Sequence, residues 1–366
     1  MNTLPGELIN YVLHFTKNRV TILSLVCKYF NNNVKRIRIK HNRYYPKIRD
    51  KNLKELINLT ELDLYRNNII TDHGIRNLSQ LKKLRLSHNK MITNYGIKNL
   101  FNLTVLNICD SGSNNITNEA ISNLLNLTDL NVSYCDINDK GISSLINLTK
   151  LNMWSNHSIT NKGISSLTNL KQLFLDTESV HVTDQGIFLL TNLTNLEVNT
   201  LITDEGISNL TNLTRLVRSY NNRITDRIFS RLTNLRSFAC DRRFDPKFLT
   251  NLTELNLSLN NNFSNYDIKN LSKLTSLDLS NNGRITYDGI SVLTNLTHLN
   301  LSSNRTITDK GISVLTNLAY LNLRYNDTIT VNGISRLINL ERINIKDTLI
   351  TKEALTHLPN IKIILK

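Results

Sequence analysis

One pattern restricts what this chain can fold into: Leu-x-x-Leu-x-Leu-x-x-Asn, then Ile-Thr-Asp-x-Gly-Ile-x-x-Leu, then a Thr-Asn lead-in to the next copy. Leu296, Leu299, Leu301 and Asn304, followed by Ile307, Thr308, Asp309, Gly311, Ile312 and Leu315, make a clean copy. With the first leucine-type position as marker, copies begin at Val34, Leu59, Leu81, Leu103, Leu127, Leu148, Leu170, Leu193, Leu213, Leu235, Leu252, Leu274, Leu296, Leu318 and Leu340, and Ile361 opens a truncated one. The spacing from Leu274 to Leu296 to Leu318 is 22 residues. A unit that short cannot bury its own apolar side chains, so the copies must stack and share one continuous core.

Local rules fix what each copy becomes. The Leu-x-Leu step puts alternate side chains inward, as in an extended strand. The asparagines Asn67, Asn89, Asn156, Asn221, Asn260, Asn282, Asn304 and Asn326 are expected to turn inward and bond the backbone of their own and the neighbouring copy, because a buried amide needs partners. Thr or Asp of the Ile-Thr-Asp segment is expected to cap a helix start, with Ile and Leu pointing back into the core. The recurrent glycine, as at Gly74, Gly163 and Gly311, weakens a helix, so its regularity implies close approach of adjacent copies.

These residues resemble the leucine-rich-repeat class. The resemblance implies an α/β fold: a curved solenoid with parallel strands on its concave face and short helices on its convex face. About 15 repeats and a truncated last coil span residues 34–366.

Before Val34 the pattern changes. Leu8, Ile9, Val12 and Leu13 have helical spacing behind Pro5, and a second helix carries Ile22, Leu23, Leu25 and Val26. So much apolar surface needs a partner, and a cap packed on the first coil is the plain reading. Leu4-Pro5-Gly6-Glu7-Leu8-Ile9, followed by Leu25-Val26-Cys27-Lys28-Tyr29-Phe30, is similar to the F-box, the helical module that in its family docks on the Skp adaptor of SCF-type ubiquitin ligases. The resemblance implies an F-box-like module at 1–33. Within it Leu4, Pro5, Leu8, Ile9, Val12, Leu25, Val26 and Cys27 would form or support the adaptor-binding face. It also implies a Skp-type adaptor and cullin complex as partners, with the chain a monomer outside that complex.

The repeats would then hold the target. Outward strand positions in most coils after Leu252 carry filler such as Asn256, Asn300, Asn322 and Asn344. The middle coils instead present Trp154, Phe174, Glu197, Arg215, Val217, Tyr220, Ala239 and Arg242, residue types of which the aromatics and arginines are enriched in binding hot spots. The coils from Leu213 to Leu249 break the pattern: Arg218 takes an apolar slot, Ile228 replaces the glycine, and the interval from Leu235 to Leu252 shrinks to 17, so a local kink or bulge is expected there. Of a net charge of +15, +8 lies in residues 1–50 and +6 in residues 213–248, which favours a target acidic on its surface. Nucleic acid is the competing reading, but the basic strand Lys35–Lys40 lacks interleaved aromatics.

Other classes find little support. The eight histidines are scattered over different coils, no base and nucleophile are brought together, and the glycines never form a phosphate loop, so no catalytic residue, metal site or cofactor is expected. Cys27, Cys109, Cys135 and Cys240 form no C-x-x-C pair, with Cys135 and Cys240 reading as core fillers and Cys109 as exposed. The first residues hold no apolar run typical of a secretory signal, and no stretch is long and apolar enough to span a membrane. An intracellular location, cytoplasmic or nuclear, is therefore expected, and the recurrent Asn-Leu-Thr triplets read as turns and not as glycosylation sites.

Overall fold

The computed structural model describes residues 36–38, 49–110, 115–179, 181–218, 220–240, 244–356, 358 and 361–364. The segment expected to resemble an F-box, with Leu4, Pro5, Leu8, Ile9, Val12, Leu25, Val26 and Cys27, lies outside the described residues, and so does Arg242. The chain divides into two compact units, Met1–Asn192 and Leu193–Lys366.

In the first unit the described strands are β1 (Arg36–Arg38), β2 (Glu61–Asp63), β3 (Lys83–Arg85), β4 (Val105–Asn107), β5 (Asp129–Asn131), β6 (Lys150–Asn152) and β7 (Gln172–Phe174). Each pairs in parallel with the next. The second unit continues with β8 (Asn195–Glu197), β9 (Arg215–Arg218), β10 (Ser237–Cys240), β11 (Glu254–Asn256), β12 (Ser276–Asp278), β13 (His298–Asn300), β14 (Tyr320–Asn322), β15 (Arg342–Asn344) and β16 (Lys362–Ile364), again paired in parallel in chain order. Parallel pairing of consecutive strands needs a crossover, and the helical turn of each coil supplies it. Alternation holds in most of the described strands, as where Leu299 and Leu301 are fully buried while His298 and Asn300 are not.

Inside each unit the asparagines form the expected ladder. Asn304 Oδ1 accepts the backbone N–H groups of Thr306 and Ile307, both at 3.1 Å, while its Nδ2 donates to the carbonyls of Leu279 and Asn282 in the preceding coil at 3.1 and 2.8 Å. Two members escape the sequence pattern. Asn199 is fully buried and accepts from Leu201 and Ile202, but it comes six residues after its marker Leu193, where Asn304 comes eight after Leu296. Ser179 takes the same role with a hydroxyl, donating to the Met153 carbonyl at 3.2 Å. Cys135, which holds the slot in its own coil as expected, donates its thiol hydrogen to Ile108 O at 3.1 Å.

The helix side departs from expectation. Thr160 does cap its own helical turn, accepting from Lys162 N–H at 3.2 Å, but the aspartate serves the next coil. Asp139 Oδ1 accepts the Thr160 N–H at 2.8 Å and Oδ2 accepts the Thr160 hydroxyl at 2.7 Å. Asp72 with Thr93, Asp204 with Thr225 and Asp309 with Thr330 repeat the arrangement, and Asn161 with Thr183 repeats it with an amide. The same geometry explains the glycine: a Cβ on Gly163 would lie 2.4 Å from Asp139 Oδ1, and on Gly333 2.4 Å from Asp309 Oδ1. Helical turns of four residues such as Asp139–Ile142 could not persist alone, and this second ladder is what ties them down. A third runs through the Asn-Leu-Thr triplets, where Asn126, Asn147, Asn192 and Asn295 donate Nδ2 to a carbonyl one coil back.

The irregular coils keep their strand register. Arg215, Ser237 and Glu254 align across β9, β10 and β11, as do Val217, Ala239 and Asn256, with no inserted residue. The bulge expected there is thus absent from the ladder, and the irregularity sits on the opposite side, where 3-10 helices at Asp226–Ser230 and Pro246–Phe248 replace the α-helical turn. Ile228, 4% exposed, brings a branched side chain to the slot where glycine elsewhere leaves room for a carboxylate. Two coils later Asp267 occupies that slot and replaces the missing carboxylate from within, its Oδ2 accepting from Ser264 N–H at 2.8 Å and Ser264 Oγ–H at 2.7 Å. Phe229, Phe238, Phe244 and Phe263 fill the interior edge to face, with ring centroids 4.9 to 6.0 Å apart.

Candidate functional site

Strands whose inward side chains hold the core leave their outward side chains with no part in stacking, and those positions can vary freely. Each coil offers one outward residue at the start of its strand, one at its end, and one just beyond. The strand-end residue is often Asn or Asp whose Oδ1 accepts the N–H two residues on, as Asn152 does from Trp154 at 3.2 Å and Asn300 from Ser302 at 3.1 Å. That bond closes the strand and fixes which atoms face outward.

In the first unit Phe174 lies beside Asn152 in register, and Trp154 follows two residues later, 39% exposed. The two expected hot-spot aromatics therefore sit on adjacent coils, offset by one outward position. The next outward residue, Asp176, is tied down: its Oδ2 accepts from Ser155 N–H at 2.8 Å and Ser155 Oγ–H at 2.9 Å.

In the second unit Glu197, Val217 and Ala239 form one row across β8, β9 and β10. Arg215 belongs to the neighbouring row, where its Nη1 donates to Ser237 Oγ at 2.7 Å and lies 3.7 Å from Glu254 Oε2. This exposed ion pair contributes little to stability, but it presents the guanidinium along the face. Tyr220 does not stand on the strand as expected: it follows the end of β9 in a left-handed turn with φ of 57°, and is 68% exposed. Beneath it Arg218 does take the apolar slot, 3% exposed, donating from Nη1 to the Ile224 carbonyl at 2.8 Å with its guanidinium 5.7 Å from the Phe238 ring centre. The structure thus brings Glu197, Arg215 and Val217 together.

Sequence reasoning passed over a polar cluster in the first unit. His88 Nδ1 lies 2.6 Å from Asp110 Oδ2, the Tyr65 ring meets His88 edge to face at 5.6 Å, and the Arg66 guanidinium lies 5.1 Å from the Tyr65 ring centre. Its members come from three copies, and only the regular interval of about one coil could have linked them. Next to it Cys109 is half-buried, not exposed as expected, and burial, then the neighbouring Asp110 carboxylate, raise its thiol pKa. That is the wrong direction for a nucleophile. Asn344, expected outward, is 8% exposed. Among the described residues no three His, Cys, Asp or Glu side chains are grouped to hold a metal ion, and no helix is long and apolar enough to cross a membrane.

Two family models described as leucine rich repeat match the chain, one over residues 32–91 and the other over 123–146, 144–167, 270–293, 292–316 and 314–337. A search of curated proteins gives no match. Among solved structures, the chain resembles TLR13 in its complex with ssRNA13 at 22% identity and a TM-score of 0.57, over 91% of this chain and 60% of that one. It also resembles a chain of the Rad7 and Elc1 complex of yeast at 20% identity and a TM-score of 0.53, over 98% and 92%. The functional domain of InlJ from Listeria monocytogenes is 26% identical with a TM-score of 0.50, over 84% and 68%. Matched repeats, parallel coil-by-coil strands and likeness to solved structures agree: this chain is a leucine-rich-repeat solenoid, the architecture of a protein-binding scaffold.

Proposed function

We propose that the chain is a non-catalytic recognition subunit of an SCF-type ubiquitin ligase. Residues 1–33 would engage a Skp-type adaptor and its cullin complex, and the strand face would hold the protein to be modified. The role would be exercised inside the cell, in cytoplasm or nucleus, by a chain that is monomeric outside the complex. The observation that carries the recognition half is the row of outward side chains free of consensus filler, Glu197, Val217 and Ala239 with Arg215 beside them, on a backbone whose coil-to-coil register stays intact. The adaptor half rests on the sequence resemblance of residues 1–33. The chemistry of modification would lie with other subunits, and this one would supply proximity.

The test uses the full chain. Recombinant Skp adaptor should be captured by the natural sequence and lost with Leu8→Asp plus Val12→Asp, while the strand-face pair Arg215→Glu plus Tyr220→Ala should leave that capture unchanged. Equal capture by all three, or by none, would reject the adaptor half and favour a free-standing interaction scaffold in which residues 1–33 only seal the stack.

A further inference from the structure

The coils opened by Leu296, Leu318 and Leu340, with β16 beyond them, read as filler in the sequence, yet the fold gathers an unusual set of groups on their outward positions. Positions 298, 300 and 302, then 320, 322 and 324, then 342, 344 and 346, then 362 and 364 hold four cations, Arg324, Arg342, Lys346 and Lys362, and no acid. Among the described residues none of the four has a carboxylate within ion-pair distance, and the nearest pair in sequence, Arg305 with Asp327 at 3.8 Å, does not involve them. The acids closest in sequence, Glu341 and Asp347, flank the strand and leave the four unpaired.

Two further observations separate this patch from an ordinary solvated surface. Arg324 is held: its Nη2 donates to Tyr325 Oη at 3.0 Å, its guanidinium lies 4.7 Å from the Tyr325 ring centre, and its Nε is buried with no acceptor. A guanidinium held in one orientation suits a carboxylate, which can take two parallel N–H bonds from one arginine. Asn322 is oriented as well. Its Oδ1 accepts the Arg324 N–H at 3.1 Å, so the rest of its amide can only donate. Anion-seeking groups of two kinds therefore converge on one face.

The patch is also bounded. On β12, Asp278 takes the Asn300 amide at 3.0 Å and puts a carboxylate at the edge, and on β11 Glu254 puts another. The four cations span two strand spacings from β14 to β16, about 10 Å at ~4.8 Å each, and four residues along the strand direction, about 13 Å at ~3.3 Å each, a diagonal of about 16 Å that four or five residues of extended chain cover. A nucleic acid strand would need the positive stripe to continue along its phosphates, and Asp278 and Glu254 interrupt it.

We propose that this C-terminal strand face is a docking strip for a short acidic polypeptide segment, four or five residues rich in Glu or Asp, whose carboxylates pair with Arg324, Arg342, Lys346 and Lys362. The proposal rests on the reading of the strand face as the recognition surface, and it places the charged contact several coils away from Arg215 and Tyr220. Anisotropy of a fluorescent, end-capped pentaglutamate titrated with the full chain at low salt tests it. Saturable binding is expected, with at least tenfold weakening by Arg324→Gln plus Arg342→Gln, no change with Lys162→Gln on a helical turn, and no binding of pentaglutamine. Lys346→Gln plus Lys362→Gln, at positions outside the core, should weaken binding severalfold and serves if the first pair melts early. Equal affinity across these variants, or a five-nucleotide oligouridylate that binds more tightly and competes with the peptide, would overturn the proposal. Adaptor capture by the Leu8→Asp plus Val12→Asp chain is read separately, so failure of the adaptor role leaves the peptide titration intact.

Discussion

Replacing Gly163 by alanine sets two effects of opposite sign against each other. Glycine in a helical turn is disfavoured, and alanine should gain about 1 kcal/mol from propensity alone. Against this, the new Cβ would lie 2.4 Å from Asp139 Oδ1, closer than any real contact, so the carboxylate must leave or the coils must part. If it leaves, the bonds to Thr160 N–H at 2.8 Å and Thr160 Oγ–H at 2.7 Å go with it. Hydrogen bonds to a charged group contribute roughly 1.5–3 kcal/mol each, and for this partly exposed pair the lower end gives a loss of about 3 kcal/mol. If the coils part instead, overpacking costs about 1–3 kcal/mol. The net expectation is destabilisation by about 2 kcal/mol, measured as the shift in urea-unfolding free energy. A double-mutant cycle isolates the cause: in an Asp139→Ala background the alanine meets no carboxylate and keeps its propensity gain of about 1 kcal/mol, so a coupling of about 3 kcal/mol should appear. Gly283 is the internal control, because a Cβ there would come no closer than 3.6 Å to Asn261 Oδ1, and Gly283→Ala should stay within about 0.5 kcal/mol. A stabilised Gly163→Ala chain, or a cycle with no coupling, would refute the account of the glycine.

Three further expectations follow from the irregular coils and the half-buried thiol. Arg218→Met should raise stability by about 1–3 kcal/mol in the same urea assay, because it removes a buried guanidinium whose Nε has no partner and whose slot is otherwise apolar; a loss would show that the bond to Ile224 O outweighs the desolvation. Asp267→Gly restores the repeat consensus and should nevertheless cost about 1–3 kcal/mol, since the preceding coil has no carboxylate to offer Ser264; an unchanged midpoint would show that water replaces it. Cys109 has its pKa raised in the folded chain, so the folded state favours the neutral thiol: its contribution is full below the ordinary thiol pKa and is lost as pH climbs through the raised one. Alkylation of Cys109 by iodoacetamide should therefore lag behind that of the unfolded chain through this alkaline window, and Asp110→Asn should shorten the lag; equal rates in folded and unfolded chains would contradict it.

The sequence reveals what repeats and conceals what two copies make jointly. Leu299, Leu301 and Asn304 declare their orientation because period-2 alternation and the need to satisfy a buried amide leave no other arrangement. Thr160 caps its own helical turn as the Ile-Thr-Asp segment leads one to expect, but its second exchange, with Asp139 of the preceding coil, has no signature within one copy. Asn199 escapes the pattern because its coil reaches the ladder two residues early, and of the kink or bulge expected between Leu213 and Leu249 the strands show no inserted residue, the irregularity being taken up in the 3-10 turns. Among the outward strand positions, Trp154, Phe174 and Arg215 stand out in the sequence by departure from consensus. Arg324 and Lys346 do not, since they sit among ordinary Asn filler and come together only when adjacent coils are aligned. Residues 1–33 and Arg242 lie outside the described residues, and their roles stay with the proposal.

Asp267 has a consequence for how such a chain can change in length. Most coils lean on a carboxylate or amide lent by their predecessor, so removing one copy must join a donor to a matching recipient. The coil opened by Leu252 carries its own carboxylate and can follow a neighbour that lends nothing, as it does behind the 17-residue copy that begins at Leu235. The junction between these two copies is therefore a seam at which copies can be gained or lost without a matching donor being restored, and variation in repeat number among related chains should collect there.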